Sequence, residues 1–73
     1  MKKNLLEKVI AERGVSVKQL SFWTGINRFV LRAKLSGLLE FKAKEIIALS
    51  YALFLSDEQV EEIFFGKKFP KGN

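Results

Sequence analysis

The segment of residues 17–37, VKQLSFWTGINRFVLRAKLSG, most restricts what this chain can fold into. It predicts two short helices that meet at a tight turn, with the spacing of a helix-turn-helix. Gly25 permits a left-handed backbone at the turn, and the small side chain of Ser21 lets the second helix cross close to the first. We expect Ile26 and Leu31 to point into the angle between the two helices, so that the segment folds as one unit.

The second helix of this segment carries the candidate contact residues. Asn27 can accept a hydrogen bond from a free main-chain amide, which predicts that the helix begins at Arg28. Arg28 and Phe29 then lie in its first turn and Arg32 one turn later, where a recognition helix meets base edges in the major groove. An arginine can bind O6 and N7 of guanine together, and a phenylalanine can contact the methyl group of thymine.

Length and composition favour a small helical bundle. A chain of 73 residues is one small domain, near the lower size at which an apolar core stabilises a fold unaided. Cysteine and histidine are absent, which excludes disulfides, thiol and imidazole chemistry, and the usual structural zinc sites. No apolar run approaches the ~20 residues that span a bilayer, and the N-terminus does not resemble a secretory signal. We therefore expect a cytoplasmic protein with no membrane partner.

Capping signals and apolar periodicity predict five helices. Their expected limits are Leu5 to about Arg13, Val17 to about Trp23, Arg28 to Leu35 or Ser36, about Ala43 to Phe54, and Asp57 to about Phe65. Capping boxes are expected at Asn4 with Glu7, at Ser16 with Gln19, and at Ser56 with Gln59. The fourth helix lacks a good cap at Lys42, so its first amides and Lys44 are available to a phosphate. The prediction is an all-α, compact five-helix bundle.

Apolar residues at helical spacing predict the core. In the fourth helix the expected inward positions are Ile46, Ile47, Leu49, Leu53 and Phe54, and Phe41 is expected to close the core ahead of them. Phe22 and Trp23 are adjacent, and each residue of a helix turns the side chain by about 100°. We therefore expect one of the two to be exposed and the other to belong to the core.

Charge is distributed unevenly along the chain. Residues 1–44 hold ten Lys and Arg against three Glu, a net charge of +7, and residues 45–73 hold three Lys against five acids, a net charge of −2. The basic half contains the helix-turn-helix segment, which favours a polyanionic partner, although such an excess also serves solvation alone. The fifth helix carries an acidic face that either solvates the back of the molecule or contacts a basic partner: Asp57, Glu58, Glu61 and Glu62.

The spacing resembles the helix-turn-helix of small phage repressors and Cro-like proteins, which are related to the lambdoid repressors. Further similarity, to short Cro-like proteins of temperate phages of Gram-positive hosts, lies in Lys34 to Gly37, Phe41, Glu45-Ile46, Leu55 to Glu58 and Ile63 to Phe65. The resemblance implies a lambda-repressor-like DNA-binding fold. Residues 1–66 would form the single helix-turn-helix domain, and residues 67–73 a basic, flexible tail unless Phe69 docks on a second subunit.

The resemblance implies a Cro-like transcriptional regulator of a phage lysis/lysogeny switch, acting in the bacterial host cell. It would bind double-stranded operator DNA as a homodimer on a pseudopalindromic site. The recognition helix would contribute Asn27, Arg28, Phe29, Arg32 and Ala33. Phosphate contacts are expected from Lys18, Gln19, Ser36, Lys42 and Lys44.

An alternative function is that of an antirepressor, which binds the DNA-binding domain of the cognate phage repressor and blocks its operator surface. Phe29, Val30 and Ala33, beside an exposed Phe22 or Trp23, suit a protein interface better than base edges. The acidic face of the fifth helix would attract a basic repressor surface.

We expect no enzyme activity, cofactor, metal or small-molecule substrate. The five glycines are scattered at the ends of predicted elements and form no phosphate-binding loop. The neighbouring carboxylates Glu61 and Glu62 lie on an open face with no pocket implied.

Overall fold

The computed structural model describes residues 1–66, which contain five α-helices and no strand. The helices are α1 (Lys3–Arg13), α2 (Val17–Thr24), α3 (Arg28–Leu35), α4 (Ala43–Ala52) and α5 (Asp57–Phe65). The predicted flexible tail, residues 67–73 with Phe69, lies outside the described residues. Within residues 1–66, no helix has both the length and the apolar character needed to cross a bilayer.

Local capping fixes the start of three helices as predicted. Ser16 caps α2 and Ser56 caps α5, each in a capping box with the glutamine three residues later. Asn27 caps α3. The predicted capping box of Asn4 and Glu7 is wrong, because α1 begins at Lys3 and its N-cap residue Lys2 makes no side-chain cap.

A tertiary contact sets the beginning of α1 instead. The main-chain amide of Lys2 donates a hydrogen bond of 2.7 Å to the carbonyl oxygen of Ile63 in α5. This bond satisfies an amide at the helix start that would otherwise need a side-chain cap. The helix therefore gains two residues relative to the prediction, and Asn4 lies inside it.

One apolar core joins all five helices. The buried side chains are Leu6, Val9, Leu20, Ile26, Leu31, Leu49, Leu53 and Ile63. α2 packs against α3 and α4, α1 packs against α3 and α5, and α4 packs against α5. As predicted, Phe41 packs on this core, and its ring meets that of Phe64 edge to face at a centroid distance of 5.8 Å.

Two predicted core positions of α4 are wrong. Leu49 and Leu53 are four residues apart and occupy the inward face, whereas Ile47 and Phe54 are exposed. Ile47 precedes Leu49 by two residues, which turns its side chain about 200° around the helix. The helix also ends at Ala52, two residues before the predicted limit.

The prediction that either Phe22 or Trp23 enters the core is also wrong, because the side chains are 85% and 51% exposed. The inward positions of α2 are Leu20, which is buried, and Thr24, which is half-buried four residues later. Thr24 donates a 2.6 Å hydrogen bond from Oγ1 to the carbonyl oxygen of Leu20. Leucine and threonine are smaller than phenylalanine and tryptophan, so they let α2 lie close to α3 and α4. Phe22 and Trp23 lie on the faces of α2 that do not point into the core.

Candidate functional site

A short, hydrogen-bonded turn sets α2 and α3 in place. Gly25 has a φ of +75°, and its amide donates to the carbonyl oxygen of Ser21 at 2.9 Å. The hydroxyl of Ser21 donates in turn to the carbonyl oxygen of Ile26 at 2.6 Å. The sequence indicates a small residue at Ser21, and the structure adds that its hydroxyl closes the turn. Contacts within the segment itself therefore shape the turn that leads into α3.

Asn27 positions the first turn of α3. Its Oδ1 accepts hydrogen bonds from the amides of Phe29, at 2.9 Å, and of Val30, at 3.3 Å. Both bonds use the side-chain oxygen, which leaves the Nδ2 amide as the part of this exposed side chain that can donate to a ligand. Asn27 is thus first a structural cap, and any contact with a partner would come from its nitrogen.

The outward face of α3 holds the three side chains that the sequence singles out most strongly. Arg28, Phe29 and Arg32 are all exposed, whereas Ala33 is half-buried. The Arg28 guanidinium lies 5.5 Å from the centroid of the Phe29 ring, within range of a cation–π attraction. Arg28 and Arg32 are one turn apart and share a face, so a single partner surface can meet both.

Four exposed apolar residues lie in the same short segment of the chain as these arginines, on either side of the turn. We define the apolar patch as Phe22 and Trp23 at the end of α2 with Phe29 and Val30 at the start of α3, all four of them exposed. Single exposed apolar residues are ordinary, but a group of large ones is typical of interaction sites. The patch is larger than the sequence predicts, because burial of one aromatic residue was expected.

The start of α4 differs from the predicted open phosphate site. Glu45 Oε1 accepts a hydrogen bond of 2.8 Å from the main-chain amide of Lys42. The same oxygen accepts one of 2.5 Å from the ammonium of Lys34, which is buried. A carboxylate therefore occupies the place where a phosphate was expected to meet the helix start. Lys42 and Lys44 remain exposed, and they line a groove with Thr24, Asn27 and Val30.

The pairing of Lys34 with Glu45 links α3 to α4 and holds the pKa of Glu45 below its ordinary value. The hydrogen bond from Lys34 is the main cause of the lowered pKa, and the amide of Lys42 adds to it. Sequence reasoning missed this pair. The sequence does contain one signal for it, because Glu45 is the third residue of α4, the position from which a glutamate can accept a hydrogen bond from the N-cap amide. Lysine is not a usual N-cap residue, however, so Lys42 gave no reason to expect a capping box.

The other predicted phosphate contacts lie at exposed positions. Lys18 and Gln19 are exposed near the start of α2, and Gln19 Oε1 accepts the 2.9 Å bond of the capping box from Ser16. Ser36 is exposed at the end of α3, where its hydroxyl donates to the carbonyl oxygen of Ala33 at 2.8 Å. The Gln19 amide nitrogen and the Lys18 ammonium are the donors that a phosphate can use here.

The acidic residues do not join this surface. α5 packs against α1 and α4 rather than against α2 or α3. Asp57 and Glu58 are exposed in its first turn, and Glu61 and Glu62 are half-buried. The predicted partner-contact residues thus divide into the apolar patch and a separate acidic helix. No group of three or more acidic residues within residues 1–66 is arranged to hold a metal ion.

Comparison of the chain with family models, with curated proteins and with solved structures found no match.

Proposed function

We propose that this chain is a sequence-specific DNA-binding regulator of the Cro type. The observation that carries the proposal is the pair of exposed arginines, Arg28 and Arg32, on one face of a helix whose start Asn27 fixes. Helix α3 also packs against both α1 and α2, so the arginines stand on a rigid support. The hydrogen-bonded turn at Gly25 further supports a helix-turn-helix of the lambda-repressor-like kind.

In the proposed complex, α3 enters the major groove of double-stranded operator DNA. Arg28 and Arg32 are about 6 Å apart along the helix axis, and each can bind one guanine in a bidentate manner. Phe29 would contact a thymine methyl group. The lysines Lys18 and Lys42, among others, would bind phosphates and supply most of the affinity.

Regulation of this kind requires no chemistry. A homodimer bound to a pseudopalindromic operator excludes RNA polymerase or an opposing regulator from the same DNA. The resemblance to Cro-like proteins makes a phage lysis/lysogeny switch the setting that we propose.

The substitution Arg28→Ala tests the reading face. We expect it to weaken binding to the operator about 5- to 150-fold, since a bidentate arginine–guanine contact is worth roughly 1–3 kcal/mol. The fold should persist, because Arg28 is exposed. Binding is measured by fluorescence anisotropy with a duplex that the unaltered protein has selected from a random pool, and folding by circular dichroism.

Lys8→Ala is the matched control, because it removes the same charge from the groove between α1 and α5. It should reduce affinity far less than Arg28→Ala. Equal effects of the two variants would mean that Arg28 contributes only charge, and failure to select any duplex would overturn the DNA-binding function.

A second candidate is the antirepressor, and the exposure of both Phe22 and Trp23 favours it. Base edges present mainly hydrogen-bond donors and acceptors, so they make few favourable contacts with several apolar side chains. The core of a protein interface, by contrast, is enriched in aromatic residues. The proposed partner is the DNA-binding domain of the cognate phage repressor.

An electrophoretic mobility shift assay separates the two candidates. If the chain alone retards operator DNA, it acts as a DNA-binding regulator. If it has no effect alone but abolishes the shift that the repressor produces, it acts as an antirepressor.

A further inference from the structure

The outer face of α4 carries large apolar side chains that neither candidate function uses. Ile47 and Tyr51 are four residues apart on this face, and they are 57% and 79% exposed. Phe54 follows directly after the helix and is 81% exposed. We call these three residues the α4 stripe. Leu49 and Leu53 already fill the inward face of α4, so the stripe has no part in the core of its own chain.

The backbone of Phe54 is unusual. Its φ is +54°, and among residues 1–66 it is the only residue other than glycine with a positive φ. The amide of Leu55 donates to the carbonyl oxygen of Ser50 at 2.9 Å, and that of Phe54 to the carbonyl oxygen of Tyr51 at 3.3 Å. These two bonds form a Schellman motif, in which glycine normally takes the left-handed position.

A phenylalanine at this position carries two costs. A β-carbon in the left-handed region is strained, and an exposed aromatic ring remains in water. The two hydrogen bonds of the Schellman motif offset the backbone cost, but a glycine would make the same bonds without strain, and the exposed ring gains no packing within the chain. Strained residues of this kind are typical of functional sites, so the position of Phe54 points to a contact outside the chain.

The charges at the two ends of the stripe indicate what that contact is. Lys44 is exposed one turn before Ile47, at the basic end. Asp57 and Glu58 are exposed at the other end, within about 14 Å of chain from Phe54. A surface that is basic at one end, apolar in the middle and acidic at the other end is complementary to its own antiparallel copy. A uniformly charged partner such as DNA would be repelled at one end.

We propose that the α4 stripe is a homodimer interface, in which α4 of a second copy lies antiparallel across a two-fold axis. Ile47 then faces Tyr51 of the other copy, and both copies of Phe54 cover the ends of the apolar centre. Lys44 of each copy pairs with the acidic first turn of α5 in the other. The Cro-type function expects a dimer but assigns it no surface, and the stripe can form one whether or not α3 binds DNA.

The substitution Phe54→Gly separates dimerisation from folding. Glycine relieves the left-handed strain and removes the aromatic ring, so the variant should resist thermal unfolding at least as well as the unaltered monomer. Sedimentation velocity of the full chain without DNA, over micromolar to millimolar concentrations, should show a dimer that Phe54→Gly weakens at least tenfold. The small size of the stripe makes this wide concentration range necessary.

Phe22→Ala is the matched control, because Phe22 is an equally exposed aromatic residue of the apolar patch. It should leave the dimer intact. A chain that stays monomeric at every concentration would overturn the proposal. A dimer that survives Phe54→Gly but dissociates in Phe22→Ala would overturn it as well, and would place the interface on the apolar patch.

Exchange of charges tests for the antiparallel second copy. Lys44→Glu and Glu58→Lys should each weaken the dimer, because each places like charges opposite one another. The double variant should recover most of the loss, since the new glutamate at position 44 of one copy would then face the new lysine at position 58 of the other. If the double variant is no better than the worse single variant, the antiparallel arrangement is wrong. Because these measurements contain no DNA, their failure is distinct from failure of the DNA-binding function.

Discussion

Lys34 shows how burial alters the meaning of a charged residue. In the sequence it is one of the ten basic residues of the first 44, but its side chain is buried and paired with Glu45. Its charge is therefore neutralised by Glu45 within the chain and is not available to a partner. The pair also connects α3 to the start of α4. The same contact therefore makes Lys34 unavailable to a partner and helps to hold the proposed recognition helix in position.

The lowered pKa of Glu45 makes stability depend on pH. Its folded pKa lies below the ordinary value of 4.5, so the ionised carboxylate stabilises the fold above that pH. The stabilisation is lost as the pH falls from about 4.5 through the folded pKa. We expect Glu45→Gln to lower the free energy of unfolding near pH 7 by roughly 1.5–3 kcal/mol, the range for a hydrogen bond to a charged group.

Urea unfolding of both proteins from pH 7 to pH 3 measures this effect. The two free energies should converge at the acid end, because protonated Glu45 resembles glutamine. The exposed Glu58→Gln variant serves as the control and should track the unaltered protein more closely. A difference that stays constant across the pH range would contradict the role assigned to the Lys34–Glu45 pair.

The segment of α2, its turn and α3 shows what short-range contacts decide. Its turn is held by Gly25 in the left-handed region and by the hydroxyl of Ser21, and its second helix by the side chain of Asn27. All of these bonds join residues at most five positions apart. These bonds fix the turn and the start of α3 locally, and burial of Leu20 and Leu31 in the common core holds the two helices in place.

We expect Gly25→Ala to destabilise the fold by about 1–2 kcal/mol, the cost of a left-handed conformation for a residue with a β-carbon. The added methyl group meets nothing within 4 Å, so no steric clash contributes. Thermal unfolding measures the loss, and Gly25→Asn should lose less because asparagine tolerates this region better. If alanine is as stable as glycine, the turn does not have the conformation described.

The whole molecule is electrically asymmetric. Residues 1–44 carry a net charge of +7, and residues 45–66 contain five acids and no base. The basic part contains α2 and α3, and the acidic part contains α5. The helices proposed to contact DNA thus belong to the basic part of the chain, which suits a polyanionic partner.

DNA binding should accordingly depend steeply on salt. If Lys18, Lys42 and Lys44 each bind one phosphate, the logarithm of the association constant should fall against the logarithm of salt concentration with a slope of about −3 per protomer. Lys42→Gln should reduce the magnitude of that slope by about one, as anisotropy titrations at several salt concentrations would show. Lys8→Gln, on the groove between α1 and α5, should leave it unchanged. A slope near zero would exclude phosphate contacts by these lysines.

Sequence alone determined the existence of the five helices and the presentation of α3. The capping boxes of α2 and α5, the cap at Asn27 and the exposed Arg28 and Arg32 all agree with prediction. They could be predicted because capping and helical periodicity act between residues a few positions apart.

Tertiary structure alone decided which faces are covered. It exposed both Phe22 and Trp23, buried Lys34 against Glu45 eleven residues away, and started α1 early through the bond from Lys2 to Ile63. Arg13 likewise donates a 2.8 Å bond to the carbonyl oxygen of Leu53, forty residues away. Such contacts depend on where a distant helix packs, and periodicity along one helix does not carry that information.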